Sequence, residues 1–211
     1  MADRYGTFAE LAKKTREGTH WRVVSRDRDP TILVAAPHGG RAEPHTARIA
    51  RAIAGTLHSL YVFEALSPGL HVTSHRFKEP RAVAQALRHS KVVTVHGCDD
   101  QRSSSLDVFV GGLDLGLRDA VIAELQRVGF EVAIDRWTPG KAQGNICNGG
   151  TAGVGVQLEL SRRLRNRLGK HGGEALLRTF ALAVQGAIAN QRPPNSRLQR
   201  TRLAQAMAPR R

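Results

Sequence analysis

An α/β sandwich on a largely parallel sheet is the fold class the sequence predicts, from two observations. Short runs rich in β-branched residues alternate with longer segments whose apolar residues recur at helical spacing, the order expected of strand–helix–strand units. The strand-length runs are also apolar almost throughout, as in Ile32-Leu-Val-Ala-Ala36 and the valines of KVVTVHG97, which marks strands covered on both faces.

The elements follow in order. Phe8, Leu11 and Ala12 set a short opening helix over residues 8–14 that stops before Gly18. Residues 20–25 predict a strand and 32–36 a second, followed by the polar stretch PHGGRAE43. After Pro44, the spacing of Ile49, Ala50, Ile53, Ala54 and Leu57 is helical. Residues 60–65 and 71–74 predict strands, and 80–88 a helix whose apolar face carries Val83, Ala84 and Leu87. KVVTVHG97 is a buried strand ending on a histidine, 106–110 another, 115–128 a helix closed by Gly129, and 130–134 a further strand. Residues 138–155 hold six glycines and two asparagines and predict a long loop, a length usually reserved for function or disorder. A last strand, VGVQLEL160, leads into SRRLRNRL and a helix over 174–189.

At 211 residues, 41% hydrophobic and 24% charged, the chain suits one soluble domain, expected over residues 1–189. No apolar run approaches the ~20 residues of a membrane span, and the charged start lacks an apolar signal core, so a cytoplasmic location is expected, with release by a phage-type route left open. The net charge is +14, and six of the arginines behind it fall after Asn190, in a segment without acids that predicts a flexible basic tail over 190–211. Such a balance suits an acidic partner: an anionic polymer, nucleic acid or a membrane surface. Nucleic acid could engage the tail, but only 5% of residues are aromatic and no helix-turn-helix, zinc-finger or RNA-stacking pattern occurs. Two cysteines, Cys98 and Cys147, exclude a disulfide scaffold and a cysteine-only zinc cage; a thiol pair and a loop-pinning disulfide both stand.

Three strands end in loaded residues: His38 with Glu43 after the first, His96 on the second, Glu159 within the last. In α/β sheets, ligands bind beyond the carboxyl ends of the strands, so these four can converge. Two imidazoles and a carboxylate make the set that holds a catalytic zinc with an open position, and a further carboxylate can serve as general base. Each histidine read singly is a hydrogen-bonded strand-end residue and PHGG a turn, whereas Glu159 in a buried strand is costly without a partner. Gln157 and Glu159 share one strand face, with Val156 and Leu158 on the other. His45 and His75 read as structural residues near the motifs, and His58 and His89 as helix-end cations.

The segments APHGGRAE43, TSHRFKEP80, VVTVHGC98, VFVGGLD114, GNICN148 and GVQLELSRRLR165, in this order and spacing, resemble the poly-γ-glutamate hydrolase family, often labelled phage-related, whose fold is similar to that of zinc carboxypeptidases. The resemblance covers nearly all of residues 5–165. It implies a three-layer α/β sandwich with a mixed, largely parallel central sheet, zinc held by His38, Glu43 and His96, and Glu159 as the catalytic glutamate. It implies a zinc-dependent amide hydrolase acting through metal-activated water on γ-glutamyl linkages of poly-γ-glutamate or a related acidic peptide. Arg41, Arg162 and Arg163 are candidates to hold the oxyanion or a substrate carboxylate. The chain departs from the family where an arginine is expected after NICN148, since Gly149 stands there. The alternatives are a nucleic-acid-binding or phage-related non-catalytic protein on the same fold, and a zinc amidohydrolase or carboxypeptidase for another peptide.

Overall fold

The structure, a computed structural model, describes residues 3–28, 31–99 and 106–191. The expected tail over 190–211 lies almost wholly outside the described residues. In chain order the elements are α1 (Phe8–Lys14), β1 (Trp21–Arg26), β2 (Ile32–Gly40), α2 (Thr46–Ala54), β3 (Ser59–Ala65), α3 (Pro80–Ala86) and β4 (Lys91–Gly97). There follow β5 (Val108–Gly112), α4 (Leu115–Arg127), β6 (Val132–Ile134), a 3-10 turn at Ile146–Asn148, β7 (Val156–Leu160), α5 (Arg162–Gly169) and α6 (Glu174–Asn190).

The strands form one sheet in the order β1-β3-β2-β4-β7-β5-β6. Neighbours β3, β2, β4 and β7 run parallel, β1 is antiparallel to β3, β5 is antiparallel to β7, and β6 is parallel to β5. One face packs Ile49, Ile53, Leu117, Val121, Leu164 and Phe180, from α2, α4, α5 and α6, against Val34, Val95 and Leu158. The other packs Phe8, Leu11, Ala82 and Phe77 over Leu33, Tyr61 and Phe63. This is the expected three-layer sandwich on a mixed, largely parallel sheet. Side-chain caps mark four helix starts: Thr7, Glu79, Asp114 and Ser161 each accept a backbone N–H three residues on.

Three local expectations need correction. β2 does not stop at Ala36 but continues through the PHGG motif to Gly40. A Cβ on Gly39 would lie 2.7 Å from the Phe63 carbonyl and 2.9 Å from Ala47 Cβ, and Gly40 takes φ +71°, so the two glycines let β3 and α2 close over the strand end. Residues 71–74 are not a strand. Their backbone groups bond to side chains instead: the Thr73 N–H donates to Asp3, and the Val72 carbonyl accepts from His38. In α3 the row facing the sheet is Ala82, Gln85 and Ala86, while Leu87 is 61% exposed. Gln85 can enter because its amide is satisfied by Asp27, Ser25 and the Leu60 carbonyl.

On β3, the buried Glu64 accepts from Arg22 and, at 2.8 Å, pairs with Arg51. Burial works against its charge, but the two guanidiniums outweigh it and hold the carboxyl below the usual range. A carboxyl depressed on folding contributes stability that is present above the ordinary glutamate pKa of ~4.3 and lost as pH falls through the folded value. Acidification from about pH 5 to about pH 3 should therefore lower the Tm of the wild type by more than that of Glu64→Gln. Equal losses in a melting series would show that these pairs contribute nothing.

Candidate metal centre

His38, His96 and Glu159 stand at the carboxyl ends of β2, β4 and β7, three adjacent parallel strands, and Glu43 follows in the turn after β2. The β2–β3 register shifts between Ala36 and Gly39, an irregularity of the kind that re-aims a side chain next to a site. His38 lies within that shift. His96 and Glu159 are direct cross-strand partners, so their side chains leave the same face of the sheet.

His38 and His96 are buried, and Glu43 nearly so. The His38 Nε2–H donates to the Val72 carbonyl at 2.8 Å, which turns Nδ1 inward, 3.0 Å from Glu43 Oε1 and 3.1 Å from His96 Nδ1. His96 Nδ1 lies 3.7 Å from Glu43 Oε2, and its Nε2 faces the Ser74 hydroxyl at 3.5 Å. The Gly97 N–H donates to Glu43 Oε2 at 2.9 Å and fixes the carboxylate.

Burial lowers the His38 pKa despite the adjacent carboxylate, which favours the neutral ring. For Glu43, burial is outweighed by His38, His71 and His96, and its carboxyl is held well below the usual range. For His96, burial is outweighed by Glu43 and by the charge of Glu159, which raise its pKa. Because Nε2 is engaged by the Val72 carbonyl, the Nδ1 of a neutral His38 ring is an acceptor, and its place 3.0 Å from a carboxylate oxygen suits a cation shared by the two groups. From His38 Nδ1 the spacings of 3.0 Å to Glu43 Oε1 and 3.1 Å to His96 Nδ1 lie near the edge of ~3.3 Å that bonds of ~2.0–2.1 Å around a tetrahedral zinc would give, while His96 lies 3.7 Å from the other carboxylate oxygen, Oε2. The residues therefore fit a small divalent metal held by two imidazoles and a carboxylate.

A third imidazole joins them. His71, from the connection between β3 and α3, places Nε2 3.5 Å from Glu43 Oε1, and its ring lies 4.1 Å from that of His38, centroid to centroid, at a tilt of 49°. With His38 and Glu43 it also forms a possible metal-binding group. Its Nδ1 donates to Asp3 at 2.6 Å, and Asp3 also accepts the Thr73 N–H and hydroxyl. Burial disfavours the charged ring, but the two carboxylates prevail and raise its pKa to about 9. Sequence reasoning missed His71 because it lies in an irregular segment, where periodicity carries no signal.

Glu159 lines a cavity of about 500 Å³ with His38, His96, Thr138, Lys141 and Asn145. Gln157 donates through Nε2 to Glu159 Oε1 at 2.9 Å, and its own oxygen accepts from Asn145 at 2.9 Å. The glycine-rich loop over 138–155 thus holds Glu159 through a chain of two amides. A second cavity of about 560 Å³ opens on the other side of Glu43 and contains Arg41, Arg162 and Arg165. Arg163 pairs instead with Asp107 at 3.0 Å. A Cβ on Gly149 would lie 3.2 Å from the Ile146 carbonyl and 3.5 Å from Ala86 Cβ, and the residue is outside the lining of both cavities. Cys98 and Cys147 are buried and not joined in a disulfide, and burial pushes the Cys147 thiol up to about 12. His45 begins α2 in the left-handed region at φ 74°, and His89 bonds the Gln85 carbonyl in the last turn of α3 at 2.6 Å.

The sequence profile described as Poly-gamma-glutamate hydrolase matches residues 5–178. The SPbeta prophage-derived UPF0714 protein YoqZ of Bacillus subtilis (strain 168) is 32% identical over 197 residues, covering 90% of this chain and 67% of its own length. Among solved structures, a bacteriophage poly-gamma-glutamate hydrolase superposes with a TM-score of 0.82 at 28% identity, covering 90% of this chain and 98% of that one. The zinc-free apo form of YndL gives 0.81 at 28% identity, covering 91% and 100%. No helix among the described residues is long and apolar enough to cross a membrane.

Proposed function

Because this chain belongs to the poly-γ-glutamate hydrolase family, we propose that it is a zinc-dependent hydrolase of amide bonds in an acidic peptide, with γ-linked polyglutamate as the substrate. The observation that carries this reading is the convergence of His38 Nδ1, His96 Nδ1 and the Glu43 carboxylate, at 3.0 to 3.7 Å, beside a further carboxylate on the next strand. Zinc bound there would lower the pKa of water toward ~7 and polarise the scissile carbonyl. The zinc-free YndL structure supports the choice of metal.

The chain's own groups supply the rest. Glu159 lines the cavity, where Gln157 holds one of its oxygens, and its carboxylate would take a proton from the attacking water and pass it to the leaving amine. His38, Glu43 and His96 hold their donor atoms through the Val72 carbonyl, the Gly97 N–H and the Ser74 hydroxyl, so that little reorganisation accompanies metal binding. A γ-linked polyglutamate carries one free carboxylate per residue. Arg41 and Arg162 on the α5 side and Lys141 on the loop side flank the reacting position with positive charge for such groups. Catalysis is assigned to residues 1–189 as one unit.

Incubation of the zinc-loaded protein with γ-linked polyglutamate should release new amino groups and shorten the polymer, while α-linked polyglutamate is cut far more slowly. Prior dialysis against a chelator should abolish the reaction and added zinc restore it. A folded, zinc-loaded protein that leaves the γ-linked polymer intact would overturn the substrate assignment.

A further inference from the structure

Arg165, in the second turn of α5, is only 5% exposed, although it carries a permanent charge. Such burial is costly unless the guanidinium N–H groups are matched. Its Nε donates to the Leu160 carbonyl at 3.2 Å, Nη1 to that of Pro44 at 3.1 Å and Nη2 to that of Cys98 at 3.1 Å. Pro44 follows Glu43, Leu160 follows Glu159, and Cys98 lies two residues beyond His96. One planar group thus ties together the three chain ends that bear the site. It also lies flat on Gly97, where a Cβ would meet its Cζ at 2.5 Å, and the Gly97 N–H is the donor that fixes Glu43.

We infer that Arg165 is the positioning residue of the metal centre, holding Glu43, His96 and Glu159 in their mutual geometry through the carbonyls of Pro44, Cys98 and Leu160. This role rests on the metal-site reading above. A guanidinium suits it because its donors diverge in one plane, whereas a lysine ammonium is a point donor that cannot reach three carbonyls in that fashion. All three of these hydrogen bonds reach backbone carbonyls, so through them Arg165 acts on the backbone of the residues that bear the site.

The test compares wild type, Arg165→Lys, Arg165→Ala and, as a control on the same helix, Arg167→Ala. Zinc affinity is read by competition with a chromophoric chelator, site geometry by the visible spectrum of the cobalt(II)-substituted protein, and fold by the melting of the metal-free protein. Loss of an outer support of this kind should weaken zinc binding by about 10–100-fold in both Arg165 variants and change the cobalt spectrum. Added guanidinium ion should return part of the affinity to Arg165→Ala and none to Arg165→Lys, whose side chain fills the slot. Arg167→Ala should keep the wild-type affinity and spectrum. Should the alanine variant fail to fold, the lysine variant decides. Folded Arg165 variants with wild-type zinc affinity and cobalt spectrum would overturn the inference, as would failure of both to fold, which would make Arg165 a folding residue only. A wild type that binds no zinc would instead sink the metal-site reading, so the two failures are distinct.

Discussion

Replacing His38 with alanine should reduce bound zinc from about one per chain to nearly none and slow amide hydrolysis by about 10³-fold or more. Only His38 contacts both other donor groups closely, at 3.0 Å to Glu43 and 3.1 Å to His96. Its removal takes away the two shortest donor spacings and leaves Glu43 with His96 at 3.7 Å and His71 at 3.5 Å, the latter ring tied to Asp3 through its other nitrogen. The variant should still fold, because the Val72 carbonyl it abandons sits in an irregular connection that Asp3 also anchors through Thr73. Elemental mass spectrometry on untagged wild type and variant reads the metal directly. A variant that keeps a full zinc complement would remove His38 from the site and move attention to His71.

Glu159→Gln should leave zinc in place and lower kcat by about 10²–10⁴-fold. The amide is nearly isosteric, and its oxygen can still accept from Gln157, so the local geometry of β7 survives. What disappears is the capacity to take a proton from water. The variant should therefore retain substrate affinity and metal content while turnover is lost. Retained turnover at wild-type rate would exclude Glu159 as the base. Loss of zinc along with turnover would instead make it a ligand, which the cross-strand position beside His96 does not forbid.

The sequence by itself determined the layered fold and the four polar residues at strand ends, because burial on both faces leaves a nearly unbroken apolar run and any charged or imidazole group interrupting it stands out. That is why β2, β4 and β7 and the residues His38, Glu43, His96 and Glu159 were legible from spacing and motif. Tertiary structure alone decided the rest. His71 and Asp3 enter through a segment whose backbone bonds to side chains, so no period marks it. Gln85 outranks Leu87 on the buried face of α3 because its amide finds partners 25 to 60 residues away. Among the arginines of SRRLRNRL, Arg162 and Arg165 both reach the second cavity, Arg165 buried against the strand-end carbonyls, while Arg163 turns to Asp107. Helical phase separates these neighbours by about 100° per residue, and only the packing of α5 on the strand ends fixes which direction meets the site.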